Sequence, residues 1–179
     1  MSASPTDRTK RWLETVVIGL NLCPFARSEF ATERIRYRVS EANDRESHAG
    51  ELLSEFQILD SDAQLATTLL IYRDTLESFE DYLEHLFACE DILSAAGYDG
   101  VYQIASFHPL YQFQDTEFDD PANFTNRSPY PTLHLLREAD LSAAIASHGA
   151  TEKIPARNQA LFRSMGPDAL RKLWSEFSA

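Results

Sequence analysis

The segment from Phe107 to Glu138, FHPLYQFQDTEFDDPANFTNRSPYPTLHLLRE, limits what this chain can fold into more than any other. It places Phe107, Tyr111, Phe113, Phe118, Phe124 and Tyr130 between two strand-like runs. A connection this long is ordinarily polar and Gly-rich, and so many aromatic side chains must be buried to be tolerated. The segment therefore reads as a folded lid or pocket wall built into a hairpin. Its polar residues include His108, Asn123, Asn126, Arg127, His134 and Arg137, which together suggest a small-molecule site without spelling out a reaction.

The flanking pattern supplies the scaffold. Trp12, Leu13, Val16, Val17 and Leu20 recur at helical spacing, so Thr6 to Leu20 is predicted as a helix. Arg34, Arg36 and Arg38 alternate with Ile35, Tyr37 and Val39, the period of a half-buried strand. A helix follows over Ala49 to Leu59, and the β-branched, apolar run Ala66 to Tyr72 is a central strand. Ser78 with Asp81 forms a capping box for a long helix that Gly97 closes. Val101 to Ser106 and Thr132 to Arg137 are further strands, Asp140 to His148 is a helix ended by Gly149, and Lys153 with Ile154 could add an edge strand. Pro155 and Pro167 each open a C-terminal helix.

From Ala66 to Ile154 this order matches the ferredoxin-like βαββαβ arrangement. The expected fold is an α+β two-layer sandwich with a ferredoxin-like core, a long insertion in its central hairpin, and extra helices at both ends. A chain of 179 residues with 44% hydrophobic content supports one globular domain spanning residues 1–179.

A formal charge of −12 opposes binding to nucleic acid, which needs clustered Lys and Arg. The longest apolar run near the N-terminus, Val16 to Leu20, is too short for a signal or membrane segment, so no membrane partner is expected and the protein is expected to be soluble and cytoplasmic. Neither Cys23 nor Cys89 sits in a metal-ligand or CxxC spacing. There is no GxGxxG, P-loop or GxSxG string, which removes most of the case for hydride transfer and ATP-driven chemistry.

If the third and fourth strands pair so that His108 opposes Thr132 or His134, both imidazoles lie on one face; a register shifted by one residue separates them. Paired, they suit acid/base work, or a metal site of two His and one of Asp115, Asp119 or Asp120. Each also has a structural reading: His134 as a core histidine bonded to backbone, His108 as a loop lock before Pro109. Cys23 is the N-cap of a short helix if Pro24 opens one, where the helix dipole and Arg27 would activate it as a nucleophile; otherwise it is a small buried hydrophobe. Cys89 lies on the inward face of the long helix, in the core. Arg127, flanked by Asn123 and Asn126, offers a fork for a carboxylate or phosphate, or a loop lock paired to Asp119, Asp120 or Glu138. The arginines at 34, 36 and 38 line the same pocket or pair with surface acids.

Three strings, NLCPFAR from Asn21, FHP with YQF from Phe107, and DxxNxTNRSPYPxxHLLRE from Asp120, resemble the uncharacterised bacterial proteins of the domain-of-unknown-function family 1415. The resemblance covers nearly the whole chain; Ser28 departs from it, standing where a proline is associated. It implies a small soluble protein of unassigned activity, and brings no reaction and no cofactor. It points to Asn21, Cys23, His108, Asn126, Arg127, His134 and Arg137.

The leading expectation is an enzyme acting on a small anionic metabolite. Arg127 and Arg137 hold the anion with Asn21, Asn123 and Asn126, His108 or His134 moves protons, and Cys23 is a candidate nucleophile. The alternatives are a non-catalytic binding or regulatory module and the two-His, one-carboxylate metal enzyme.

Overall fold

The computed structural model describes residues 3–148 and 151–177. Four strands form one mixed sheet: β1 (Ile35–Val39), β2 (Thr67–Ile71), β3 (Tyr102–Phe107) and β4 (Thr132–Arg137). Among the described residues seven helices surround it: α1 (Pro5–Trp12), α2 (Ala26–Ala31), α3 (Arg45–Ser61), α4 (Phe79–Ala95), α5 (Glu138–His148), α6 (Ile154–Ser164) and α7 (Pro167–Ser175). The α+β class expected from the sequence is the class observed.

The strand order is β1-β2-β4-β3, with β1 and β2 parallel and both contacts of β4 antiparallel. This differs from the ferredoxin-like arrangement. The strand beginning at Ile35 joins the sheet at its edge, connected to β2 by the crossover helix α3, and β4 inserts between β2 and β3. Lys153 and Ile154 add no strand: a 3-10 turn (Thr151–Lys153) runs directly into α6, whose first turn accepts Pro155. The Gly149 helix stop lies outside the described residues.

The layering also differs from a two-layer sandwich, because the sheet is covered on both faces. On one face Leu70 and Tyr72 of the β2 segment, with Leu133 and Leu135 of β4, pack against Leu52, Phe56 and Leu59 of α3 and Tyr82, Leu86 and Cys89 of α4. On the other, Leu69 and Ile35 pack against Trp12, Val16, Val17, Phe162, Leu170 and Phe177 from the terminal helices. Every residue of β2 is buried, as a strand sandwiched between two apolar layers must be.

The insertion between β3 and β4 is a folded wall. Arg127 lies over the rings of Phe118 and Phe124, at 4.9 and 4.5 Å, and Phe124 meets Trp174 edge-on at 4.7 Å. Phe124 is thus tied to α7. Against the expectation that the loop's aromatics are buried, Phe107, Tyr111, Phe113, Phe124 and Tyr130 are half-buried and Phe118 is exposed, because they cover the domain edge as a wall and do not enter its core. Ser78 caps α4 by accepting from the Asp81 amide, and Gly97 takes a φ of 78° just past its end, a conformation natural to glycine.

Candidate functional site

A cavity of about 440 Å³ opens between the sheet and the terminal helices. Its floor is Ile35, Thr67, Leu69, Ala105, Phe107 and His134, side chains that strand alternation sends to one face of four paired strands. Trp12, Leu13 and Val17 form one wall, Cys23, Phe25, Ala26 and Glu29 a second, and Leu141, Ala143 and Ala144 of α5 a third. The size lies in the range of small-molecule sites, and most of the lining is apolar.

The first wall rests on a local distortion. After α1 the helix widens into π geometry over Leu13–Ile18, with the Gly19 amide donating to Glu14 O at 2.9 Å. A side chain at Gly19 would place its Cβ 2.2 Å from the Thr15 carbonyl oxygen, so only glycine fits. The helix then closes in a Schellman motif: Asn21 N donates to Ile18 O, Leu22 N donates to Val17 O at 2.8 Å, and Asn21 takes a left-handed φ of 54°. Asn21 is thereby a helix stop, and its side chain makes the left-handed turn tolerable.

Cys23 lies past this stop and ahead of α2. The N-cap of α2 is Phe25, and a six-residue helix begins at Ala26, so the N-cap expected at Cys23 is two residues away. The loop is held from a distance: Asn158 on α6 donates to Leu22 O at 2.8 Å, and Arg157 donates to Asn21 O. The Cys23 thiol is half-buried and lines the cavity.

His134 stands between Leu69 of β2 and Ala105 of β3, with the Phe107 ring 6.3 Å away. Its accessible surface is that of the cavity lining. Desolvation lowers its pKa to about 4, and no hydrogen bond from a described residue offsets this. At neutral pH the ring is an uncharged donor and acceptor with both functions unspent. Among the described residues no backbone group bonds the His134 ring, as the reading of it as a core histidine bonded to backbone would require.

His108 is on the other side of the sheet. Phe107 pairs with Thr132, so the position opposite His108 is Pro131, and the register is the one that separates the two imidazoles. His108 is fully buried against Phe79 and Tyr82, at ring distances of 5.2 and 5.0 Å. Its Nε2 donates to Leu76 O at 2.9 Å and its Nδ1 accepts from the Leu110 amide at 3.0 Å, which fixes the tautomer and uses both nitrogens. Desolvation lowers its pKa. The expected His pair, and with it the two-His, one-carboxylate set, is not assembled. Among the described residues no three His, Cys, Asp or Glu side chains group to hold a metal ion.

The remaining residues singled out from the sequence brace the loop. Asn123 is fully buried; its Oδ1 accepts from Phe113 N and Thr116 Oγ1, and its Nδ2 donates to Glu117 O at 2.8 Å. Asn126 donates to Ser106 O. Arg127 spends its fork on Tyr111 O and Phe118 O, while Asp120 forms a two-bond ion pair with Arg163. Arg137 caps α3, donating to Leu59 O and Leu65 O and to the Tyr102 hydroxyl at 3.0 Å. Arg36 and Arg38 pair with Glu55 and Glu51 of α3. Arg34 does both things foreseen for it, lining the cavity and bonding Glu29 at 3.2 Å.

Two features had no place in the sequence reading. Trp12 Nε1 is buried without a hydrogen-bond partner in a residue of the cavity wall; its helical spacing marked it as core, and nothing local marks it as lining. On the opposite face a cavity of about 310 Å³ borders His48, His85 and Cys89. His85 Nε2 lies 2.9 Å from the Tyr72 hydroxyl and 3.4 Å from Cys89 Sγ, and the His48 and His85 rings are 4.9 Å apart. The spacing of His85 and Cys89, four apart on one helix, was a usable signal. Burial pushes His85 down to about 4 and Cys89 up to about 12, so thiol and imidazole are both neutral and no thiolate forms there.

Comparison with known families bears on the whole chain. A model described as a protein of unknown function, DUF1415, matches residues 4–172. The chain belongs to the DUF1415 family. Searches of curated proteins and of solved structures return no match. Of the residues to which the DUF1415 strings drew attention, Cys23, His134 and Arg137 line the large cavity, while Asn21, His108, Asn126 and Arg127 hold turns and loops in place. Among the described residues no helix is long and apolar enough to cross a membrane.

Proposed function

We propose that the protein binds a small, largely apolar molecule in the cavity above Ala105 and His134, with His134 as its hydrogen-bonding contact and Cys23 at its side. The observation that carries this reading is the unspent imidazole. Among the described residues neither ring nitrogen has a hydrogen-bond partner, and the ring lines a cavity of ligand size, so a ligand there can make a bond that the fold leaves open. The aromatic and aliphatic lining supplies affinity, and the single neutral ring supplies orientation.

The test uses the neutral fluorophore N-phenyl-1-naphthylamine and the alkylating reagent N-ethylmaleimide. Saturable binding of the dye should protect Cys23 from alkylation, and Ala105→Phe, which fills the floor, should abolish both effects. Binding that leaves Cys23 equally reactive would locate the dye elsewhere and defeat the reading.

A second reading rests on Cys23 and His134 lining one cavity. In it the thiol attacks an ester carbonyl, the carbonyl C–O bond breaks as the thioester forms, the imidazole passes the thiol proton to the leaving oxygen, and water then hydrolyses the thioester, an acyl-transfer arrangement. Release of p-nitrophenol from an apolar ester, lost in both Cys23→Ser and His134→Leu, supports it; release unchanged by either substitution counts against it.

A further inference from the structure

The cavity holds charge, but in pairs. Glu29 meets Arg34 at 3.2 Å and Asp140 meets Arg137 at 3.9 Å, and all four residues line it. Neither guanidinium is idle beyond its ion pair: Arg34 Nε donates to Gln64 O, and Arg137 donates to Tyr102 Oη and to the carbonyls at the end of α3. Each of these charges therefore has an opposite partner, and among the described residues an incoming anion would find no uncommitted cation in the lining. An incoming ammonium would compete with Arg34 for Glu29 and with Arg137 for Asp140.

Inside, the polar functions on offer are neutral. His134 presents one N–H and one lone pair to the cavity. Removing a carboxylate or ammonium from water into such a site is far costlier than removing a hydroxyl or carboxamide, whose bonds the ring can replace. Resting on the cavity reading above, we infer that the ligand of this site is uncharged: an apolar body ending in a hydroxyl or carboxamide, either of which can donate to or accept from whichever ring nitrogen of His134 it faces. This replaces the anionic metabolite suggested by the density of arginine and asparagine in the sequence.

Four probes of one chain length separate the classes: 1-octanol, octanamide, octanoate and octylammonium, each titrated calorimetrically into the full chain at pH 7.5 with Cys23 alkylation followed in parallel. The alcohol and the amide should bind and protect Cys23, and the two ions should bind at least about tenfold more weakly. Octanoate should gain affinity at pH 5, where more of it is the neutral acid, while octanol should not change. His134→Leu keeps the cavity apolar and filled to a similar extent, and should weaken octanol and octanamide by about tenfold. Octanoate or octylammonium binding as tightly as octanol at pH 7.5 overturns the inference and leaves the cavity reading standing. Failure of all four to protect Cys23 overturns both.

Discussion

His108 and His134 lie on opposite faces of one β-hairpin, because Phe107 pairs with Thr132 and Ala105 with His134. The first imidazole is closed off by Phe79, Tyr82, Leu76 O and Leu110 N; the second faces the cavity with its bonding capacity unspent. The same residue type thus has two jobs on one hairpin, and substitutions should tell them apart.

His108→Ala removes two hydrogen bonds and a packed ring from a fully buried place. It should cost about 3 kcal/mol of stability, measured by denaturant unfolding. Where the variant still folds, affinity of the dye for the cavity should be unchanged.

The pKa of His134 is lowered on folding, from the ordinary 6.5 to about 4. Below pH 6.5 the unfolded chain takes up a proton that the folded chain refuses, so stability falls as pH drops from 6.5 towards 4 and the loss levels off once the folded ring also protonates. Each pH unit within that window costs up to about 1.4 kcal/mol. His85, also lowered to about 4, adds to the same trend. Unfolding free energies at pH 7 and pH 5 should therefore differ less in His134→Leu than in the parent chain, and least when His85→Leu is added.

Arg127→Lys keeps the charge but loses the planar fork that reaches Tyr111 O and Phe118 O and stacks on two rings. A loss of about 1–2 kcal/mol is expected, concentrated in the loop. Limited proteolysis should show new cleavage between residues 108 and 131 before any global unfolding.

Asn21→Gly should be neutral or slightly stabilising, whereas Asn21→Ala should cost about 1 kcal/mol, because the left-handed turn penalises a Cβ that no side-chain bond compensates. Gly19→Ala should cost more than either, since its new carbon collides with backbone and not with a movable side chain. Thermal unfolding of the three variants gives the ranking.

Asn158→Ala removes the bond to Leu22 O, whose loss frees the loop carrying Cys23. At about 1–1.5 kcal/mol for one buried hydrogen bond, alkylation of Cys23 should quicken by up to about tenfold, while Cys89, buried in the core, stays unreactive.

The elements that could be read in the sequence were those whose pattern is local. Ser78 and Gly97 bracket α4 as their chemistry requires, and the run at Ala66 to Tyr72 has the composition of a strand buried on both sides. The order of strands was not legible, because alternation in Arg34 to Val39 says that one face is buried but not which strand lies alongside. Register was equally hidden. Tyr82 from α4 donates to Thr132 O and accepts from the Phe107 amide, and Asn126 donates to Ser106 O, so a helix and a loop set the ladder from outside it. Cys23 and His134 were singled out by residue type, but what brings them to one cavity is layer packing, which sets the segment ahead of α2 against the face of the sheet that carries His134. Arg127 and Asn123 drew notice as polar groups in a loop; the fold uses them for the carbonyls and amides that a buried loop must satisfy.

The clasp between Leu22 and Asn158 joins parts of the chain separated by 136 positions. During synthesis on the ribosome the sheet can zip and bury its α3–α4 side long before that clasp exists. The opposite side waits for α6 to emerge, so an early release of the nascent polypeptide would leave the Cys23 loop without its tether and that face of the sheet without its α6 cover.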